Sequence, residues 1–362
     1  MASIADTHAV QSVGGGLFTG AEEKRPEPLL PPPLEPQLRS TGVYVPSQAL
    51  MYAVEVALLL GQPLLLTGEP GTGKTTLAAS LANERFNGRL LEMQVKSDSS
   101  RNDLLYRIDE MGIFRDSQPG RKPRRLLDYV TIQPLGEAIL RACPPGTALC
   151  NRAGEPLTGH ELMLDDMFGV TRPRVPTVSD LMPDKVWKQA ERVVVLVDEI
   201  DKAPRDTPND LLEEFDRMSF ALPEFNLSVR PPEGALRPVV VVTSNSEKSL
   251  PDAFLRRCAF HHIAFPDAND LERIIRSRLP ELDERLSEML VELFQKMRQS
   301  LQRQPGTAEL LQWLKLASGT LRERREAGDL QEALVRLVSV LAKNESDQAA
   351  IASVIRQWNP TT

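Results

Sequence analysis

Gly68-Glu69-Pro70-Gly71-Thr72-Gly73-Lys74-Thr75, entered from the apolar run Pro63-Leu64-Leu65-Leu66, is the stretch on which the reading of this chain turns. The pattern G-x-x-x-x-G-K-[ST] spaces glycines so that the backbone turns tightly and aims successive N–H groups at phosphate oxygens. Lys74 then reaches the β/γ-phosphates, and the Thr75 hydroxyl reaches Mg²⁺. The context fits, because Thr76-Leu77-Ala78-Ala79-Ser80-Leu81 leaves the loop as a helix, whose N-terminus favours anions. The expected nucleotide-binding set is therefore Gly68, Glu69, Pro70, Gly71, Thr72, Gly73, Lys74, Thr75 and Thr76.

Two later runs repeat the strand-into-polar pattern. Arg192-Val193-Val194-Val195-Leu196-Val197 is continuously apolar, as a parallel strand covered on both faces should be, and it ends in Asp198-Glu199-Ile200-Asp201. Pro238-Val239-Val240-Val241-Val242-Thr243-Ser244-Asn245 ends in an amide. Ligands of open α/β sheets bind at the carboxyl ends of strands, so Lys74-Thr75, Asp198-Glu199 and Asn245 are expected to converge. Phosphoryl transfer is mostly positioning and charge stabilisation, which gives each residue a role. Thr75 and Asp198 hold the metal, Glu199 polarises the attacking water as general base, and Asn245 orients that water or meets the γ-phosphate. Arg256-Arg257 follows on a short helix; an arginine pair there suits insertion into a neighbouring subunit's site, which implies a ring.

The rest of the chain is organised around these runs. Residues 1–42, with Gly14-Gly15-Gly16 and Pro31-Pro32-Pro33, read as a Pro/Gly-rich arm. A capped helix over Ser47–Leu60, closed by Gly61, feeds the loop strand, and Leu90–Val95 is a second strand. Helices are expected over Asp103–Ile108 and Gln133–Ala142, with a basic loop over 113–131 between them and an irregular insertion at 144–190. A helix Asn209–Met218 and a hairpin over 219–236, its tip at Pro231-Pro232-Glu233-Gly234, precede the Asn245 strand. A last strand, Ala259–Phe265, closes the sheet region. Beyond Pro266 only helical patterns remain, at 270–279, 283–302, 307–317, 329–342 and 346–358. The expected domains are thus 1–42, 43–266 and 267–362.

Composition sets outer bounds. A formal charge of −7, pI near 5.4, argues against a broad electrostatic footprint on nucleic acid and places a nucleic-acid motor last among the alternatives. Three cysteines without paired spacing indicate neither a disulfide framework nor a zinc site. No run approaches the roughly 20 apolar residues that span a bilayer, and the expected location is cytoplasmic.

The set Gly68–Thr75, Val193–Glu199, Val239–Asn245 and Leu250–Arg257 resembles an AAA+ ATPase, more narrowly the MoxR-type branch (dynein-related subgroup), over about residues 43–318. The resemblance implies an α/β P-loop NTPase fold, a parallel sheet with helices on both faces, followed by an all-helical lid. It implies ATP and Mg²⁺ as ligands, adenine near Val43-Tyr44-Val45, and a helix-2 insertion and hairpin at 97–115 and 219–236 facing a ring axis. It also implies a hexameric, chaperone-like remodeller of a protein client, often alongside a von Willebrand factor A domain protein. The alternative function is a slow nucleotide-gated regulatory subunit of a multi-protein defence or signalling complex. The lid arginine usual in this family is missing from Pro305-Gly306-Thr307, so that either Arg303 substitutes for it or the lid has no such sensor.

Overall fold

The computed structural model describes residues 44–118, 125–158, 175–322 and 327–359. The arm 1–42, Val43 and the middle of the insertion lie outside the described residues. The chain divides into two compact units, one of residues 46–68 and 74–263, the other taking in 44–45, the loop tip 69–73 and the segment from 264 onward.

Among the described residues the first unit carries ten strands: β1 (Leu64–Gly68), β2 (Leu90–Gln94), β3 (Tyr106–Ile108), β4 (Val130–Ile132), β5 (Cys150–Asn151), β6 (Val194–Asp198), β7 (Phe220–Leu222), β8 (Leu227–Val229), β9 (Val239–Ser244) and β10 (Ala259–Ile263). Five form a parallel sheet in the order β10-β1-β9-β6-β2. The three inner strands are the valine- and leucine-rich runs, buried on both faces, and their unbroken apolarity follows from that position. Leu65, Val195, Val197, Val240 and Val242 enter a core with Leu105, Leu135 and Ile139 from neighbouring helices. Burying such side chains contributes roughly 1.5–3 kcal/mol each, so this sheet is the rigid platform of the unit. The register fixes the functional ends: Gln94 lies beside Asp198, and Val197 beside Val242.

Local signals place the flanking helices. Ser47 accepts from Leu50 N at 3.2 Å to start the helix Gln48–Leu60, and Gly61 ends it at φ 63°, a left-handed cap that glycine adopts without a Cβ clash. Helix Lys74–Arg85 follows the loop directly.

In this unit four expectations are corrected. The helix expected over Asp103–Ile108 begins at Arg101, where Ser100 and Asp103 form a capping box, and stops at Leu105; Tyr106–Ile108 is instead β3, paired antiparallel with β4. The first residues of the expected basic loop belong to a helix, Glu110–Asp116, capped by Asp109 through Gly112 N. The helix over Asn209–Met218 is two pieces, Thr207–Asp210 and Leu212–Arg217, because Leu211 has ψ near 0°. The hairpin tip lies at Pro223–Asn226, where Asn226 takes φ 53°, and Pro231–Gly234 belongs to the connection into β9. The described parts of 144–190 hold β5, isolated antiparallel bridges from Ala148 to Thr177 and from Cys150 to Pro156, and a short 3-10 turn, Val178–Leu181; the segment is anchored where Trp187 Nε1 donates to Cys143 O at 3.0 Å.

The second unit is helical: Ala268–Arg278, Glu284–Gln299, Thr307–Arg322, Ala327–Val335, Val338–Leu341 and Glu345–Gln357. Asp267, Asp283 and Asn344 cap three of these by accepting from the backbone N–H three residues on. Their apolar faces enclose Trp313, Phe294, Leu293 and Ile351. The helix expected over 329–342 is interrupted at Leu337, whose ψ is 3°. Among the described residues, no helix is long and apolar enough to cross a membrane.

Candidate functional site

Three parallel strands deliver the polar group at their carboxyl ends. Asp198 closes β6, and its carboxylate faces the Thr75 hydroxyl at 3.4 and 3.5 Å. Thr243, fully buried at the end of β9, donates to Asp198 Oδ1 and accepts from Glu199 N at 2.9 Å. That tether matters because Glu199 takes a left-handed conformation, φ 60° and ψ 49°, which costs an L-residue roughly 1–2 kcal/mol.

The Glu199 carboxylate accepts from Asn245 Nδ2 at 3.1 Å on one oxygen, and from Gln94 Nε2 at 3.0 Å and Lys202 Nζ at 2.5 Å on the other. The Lys202 hydrogen bond leads in holding its pKa below the ordinary carboxylate value; Gln94 and Asn245 add to it, and partial burial opposes it. Asp201, almost fully buried, accepts from Asn245 N at 3.4 Å and Glu247 N at 2.9 Å, so the turn carrying Glu199 and the turn carrying Asn245 are joined.

The loop itself has the backbone its glycines permit: Gly71 and Gly73 lie at φ 79° and 91°. Lys74 is buried, with Nζ donating to Gly68 O at 2.7 Å, and Thr72 Oγ1 donates to Glu69 O at 2.8 Å. Within the helical unit, the tip carbonyl of Gly71 accepts from Ala308 N at 3.2 Å, and Tyr44 stands against Gly73, where an added Cβ would lie 3.3 Å from its ring. Burial pushes the Tyr44 hydroxyl up to about 12. Val45 is half-buried beside it in the chain, and Thr76 lies in the first turn of helix Lys74–Arg85.

Of the lid arginines, Arg303 is exposed and its backbone N–H meets Asp347 at 3.4 Å. Arg298 reaches Glu69 Oε2 at 2.5 Å and Pro305 O at 3.1 Å, its guanidinium 3.9 Å from the Phe265 ring centre. The arginine pair separates. Arg257 Nε donates to Asp216 Oδ2 at 2.8 Å and a terminal nitrogen to Ala253 O, whereas the Arg256 side chain is exposed and makes no hydrogen bond or ion pair among the described residues.

Sequence reading missed Gln94, Lys202 and Thr243. Thr243 had a visible signal, a hydroxyl closing an otherwise aliphatic strand; Gln94 and Lys202 did not, since their role depends on register and on the Glu199 turn.

Hydroxyl plus carboxylate is a donor set suited to Mg²⁺, a hard cation that is usually bound by one or two carboxylates, waters and substrate phosphates. Among the described residues no group of three or more His, Cys, Asp or Glu side chains forms a dedicated metal cage, as such a site requires none.

Structural likeness is broad but shallow. A structure from Cytophaga hutchinsonii described as a candidate ATPase is 14% identical over 90% of this chain and 93% of its own, with a TM-score of 0.37. The Thermotoga maritima RuvB Holliday junction branch migration motor is 14% identical over 82% of this chain and 72% of its own, with a TM-score of 0.42. Neither carries weight for function at that distance, and no curated protein matches the chain. The family model for the AAA domain of the dynein-related subfamily matches residues 63–258, more than half of the chain and the whole span from β1 to Cys258. Four of the five parallel strands (β1, β2, β6 and β9), the loop and the strand-end acids fall within that match, and the chain belongs to the AAA family, dynein-related subfamily, as an ATPase of the AAA+ type.

Proposed function

We propose that this ATPase is a MoxR-like, ring-forming remodeller that uses ATP hydrolysis to alter or activate a protein client. The observation that carries the reading is the grouping of Glu199 with Asn245 next to the Asp198–Thr75 pair, a water-activating carboxylate beside a metal-side carboxylate. Bound Mg·ATP would supply the reacting γ-phosphoryl group and the cation that offsets its charge. Thr75 and Asp198 would hold the cation through their facing oxygens. Lys74 would exchange its Gly68 carbonyl for phosphate oxygens, with the backbone of Gly68, Glu69, Pro70, Gly71, Thr72, Gly73 and Thr76 around them. Tyr44 and Val45 are the proposed adenine contacts.

Glu199 would accept a proton from water as the water oxygen bonds to phosphorus and the bridging bond breaks, giving ADP and phosphate. Asn245, a neutral amide, would orient that water without adding charge. Arg256 is the residue free to enter a neighbouring subunit's site, and this supports the ring; six subunits, and a von Willebrand factor A domain client, follow from the MoxR resemblance. Glu199→Gln should keep nucleotide affinity and abolish turnover, measured by ADP release and by nucleotide titration. Hydrolysis at the wild-type rate in Glu199→Gln would remove the catalytic assignment.

A further inference from the structure

The carboxylate assigned as general base is held from three elements: Gln94 at the end of β2, Asn245 beyond β9, and Lys202 in its own turn. A carboxylate offers about four lone-pair positions. Gln94 and Lys202 occupy both on one oxygen, and Asn245 occupies one on the other, which leaves a single open position on the oxygen shared with Asn245. Lys202 is the only cation donating to this carboxylate among the described residues.

We propose that Lys202 is a positioning residue for the hydrolytic reaction, fixing the Glu199 side chain so that its one open lone pair is the one offered to the attacking water. This rests on the reading of Glu199 as general base. Glu199 has a left-handed backbone and a part-exposed side chain, and the polar contacts described for its carboxylate are the three donors Gln94, Asn245 and Lys202. Lys202 closes the same turn, with its N–H donating to Glu199 O at 3.0 Å. Its own backbone is fixed in turn, because Lys248 Nζ donates to Lys202 O at 3.0 Å and to Ala203 O at 3.3 Å. The ammonium is therefore a tether with an anchored base. Gln94 lies on an edge strand, is neutral, and supplies a second donor without the charge.

The test uses the full chain with Lys202→Met, Lys202→Arg and Glu199→Gln, reading steady-state ATP hydrolysis and ADP affinity by titration. Lys202→Met should lower kcat by roughly ten- to a hundred-fold, the upper figure being the scale of a catalytic group misplaced by about 1 Å, while KM and ADP affinity stay within about two-fold. Lys202→Arg should recover a substantial part of kcat, and Lys202→Met added to Glu199→Gln should change nothing further. Lys202 is part-exposed, so folding is expected to survive; Lys202→Gln, which keeps a donor without charge, gives an intermediate kcat. The proposal is overturned if Lys202→Met leaves kcat unchanged or raises it, or if ADP affinity falls in step with kcat, as a direct phosphate contact would produce. If Glu199→Gln alone keeps wild-type turnover, the base assignment fails instead, and that result is distinct from failure of the tether.

Discussion

Thr243→Val is the most discriminating substitution in the sheet unit. The side chain is fully buried, valine has nearly its shape, and hydrophobicity alone predicts a gain in stability on a buried strand. The hydrogen bonds predict the reverse. Losing the donor to Asp198 removes a bond to a charged group, worth roughly 1.5–3 kcal/mol, and leaving Glu199 N without its acceptor adds about 1–3 kcal/mol to the extent that water cannot replace it. Allowing for relaxation of the turn, the expected loss is about 3 kcal/mol. Thr243→Ser keeps both bonds and forfeits only a methyl group, about 1 kcal/mol. Hydrogen exchange of the β6 and β9 amides reads the opening free energy of this unit directly, which suits a two-unit chain better than a single unfolding midpoint. Turnover should fall in Thr243→Val and persist in Thr243→Ser, because the left-handed Glu199 turn depends on the tether. A valine variant as protected as the serine variant refutes the argument.

Three further predictions follow from the same structure. Mixing Arg256→Ala with Lys74→Ala subunits should restore part of the ATPase activity that each lacks alone, whereas Arg257→Ala alone should be mild, since its pair with Asp216 is surface-exposed and such pairs contribute about 0–1 kcal/mol; equal loss for both arginines, without recovery on mixing, refutes this. Gly136→Ala should destabilise the sheet unit by about 2 kcal/mol or more despite alanine's better helix propensity, because the added Cβ would stand 2.1 Å from the Leu105 carbonyl oxygen; exchange protection of the helix Pro134–Arg141 checks it. Glu137 is buried, which favours its protonated form, but hydrogen bonds from Lys185 and Arg141 outweigh burial and hold its pKa below the ordinary value. A depressed folded pKa means its stabilisation is complete above the unfolded value, near 4.3, and is lost as pH falls through the folded one, so Glu137→Gln should flatten the decline of denaturant midpoint below about pH 4.

What the sequence revealed depended on whether the physics was local. The inner strands were legible because a parallel strand covered on both faces has to be apolar throughout, and Val239–Val242 can hardly be anything else. Helix ends were legible where one residue decides them, as at Ser47 and Gly61. Asp103–Ile108 misled because a six-residue apolar-polar run fits a helix turn and a short strand alike; the Ser100–Asp103 capping box was the overlooked signal for the true start, and only pairing with Val130–Ile132 shows where the helix stops. At the hairpin, Pro231–Gly234 matched the vocabulary of turns better than Pro223–Asn226 did, yet the register of Phe220 against Val229 leaves only the latter to reverse the chain. The strand-end acids were legible as a motif, but the residues that orient them were not. Gln94 reaches Glu199 only because β2 pairs with β6, and Arg298 reaches Glu69 from 229 positions away.

The catalytic turns are best understood as one object. Glu199 and Ser246 are both non-glycine residues at positive φ, 60° and 61°, one in each turn, and neither conformation is favourable alone. Each turn is held by the other: Asp201 accepts two N–H groups of the second turn, Lys248 donates to two carbonyls of the first, and Thr243 bonds the strand-end carboxylate and the Glu199 amide together. Strain that is distributed over a closed set of hydrogen bonds cannot relax at one residue without disturbing the rest. Substitutions at Asp201, Thr243 and Lys248 should therefore be non-additive with one another, with double variants costing less than the sum of the singles, because the first break already releases the geometry that the others maintain. Singles that add within about 0.5 kcal/mol would mean that the two turns are held independently.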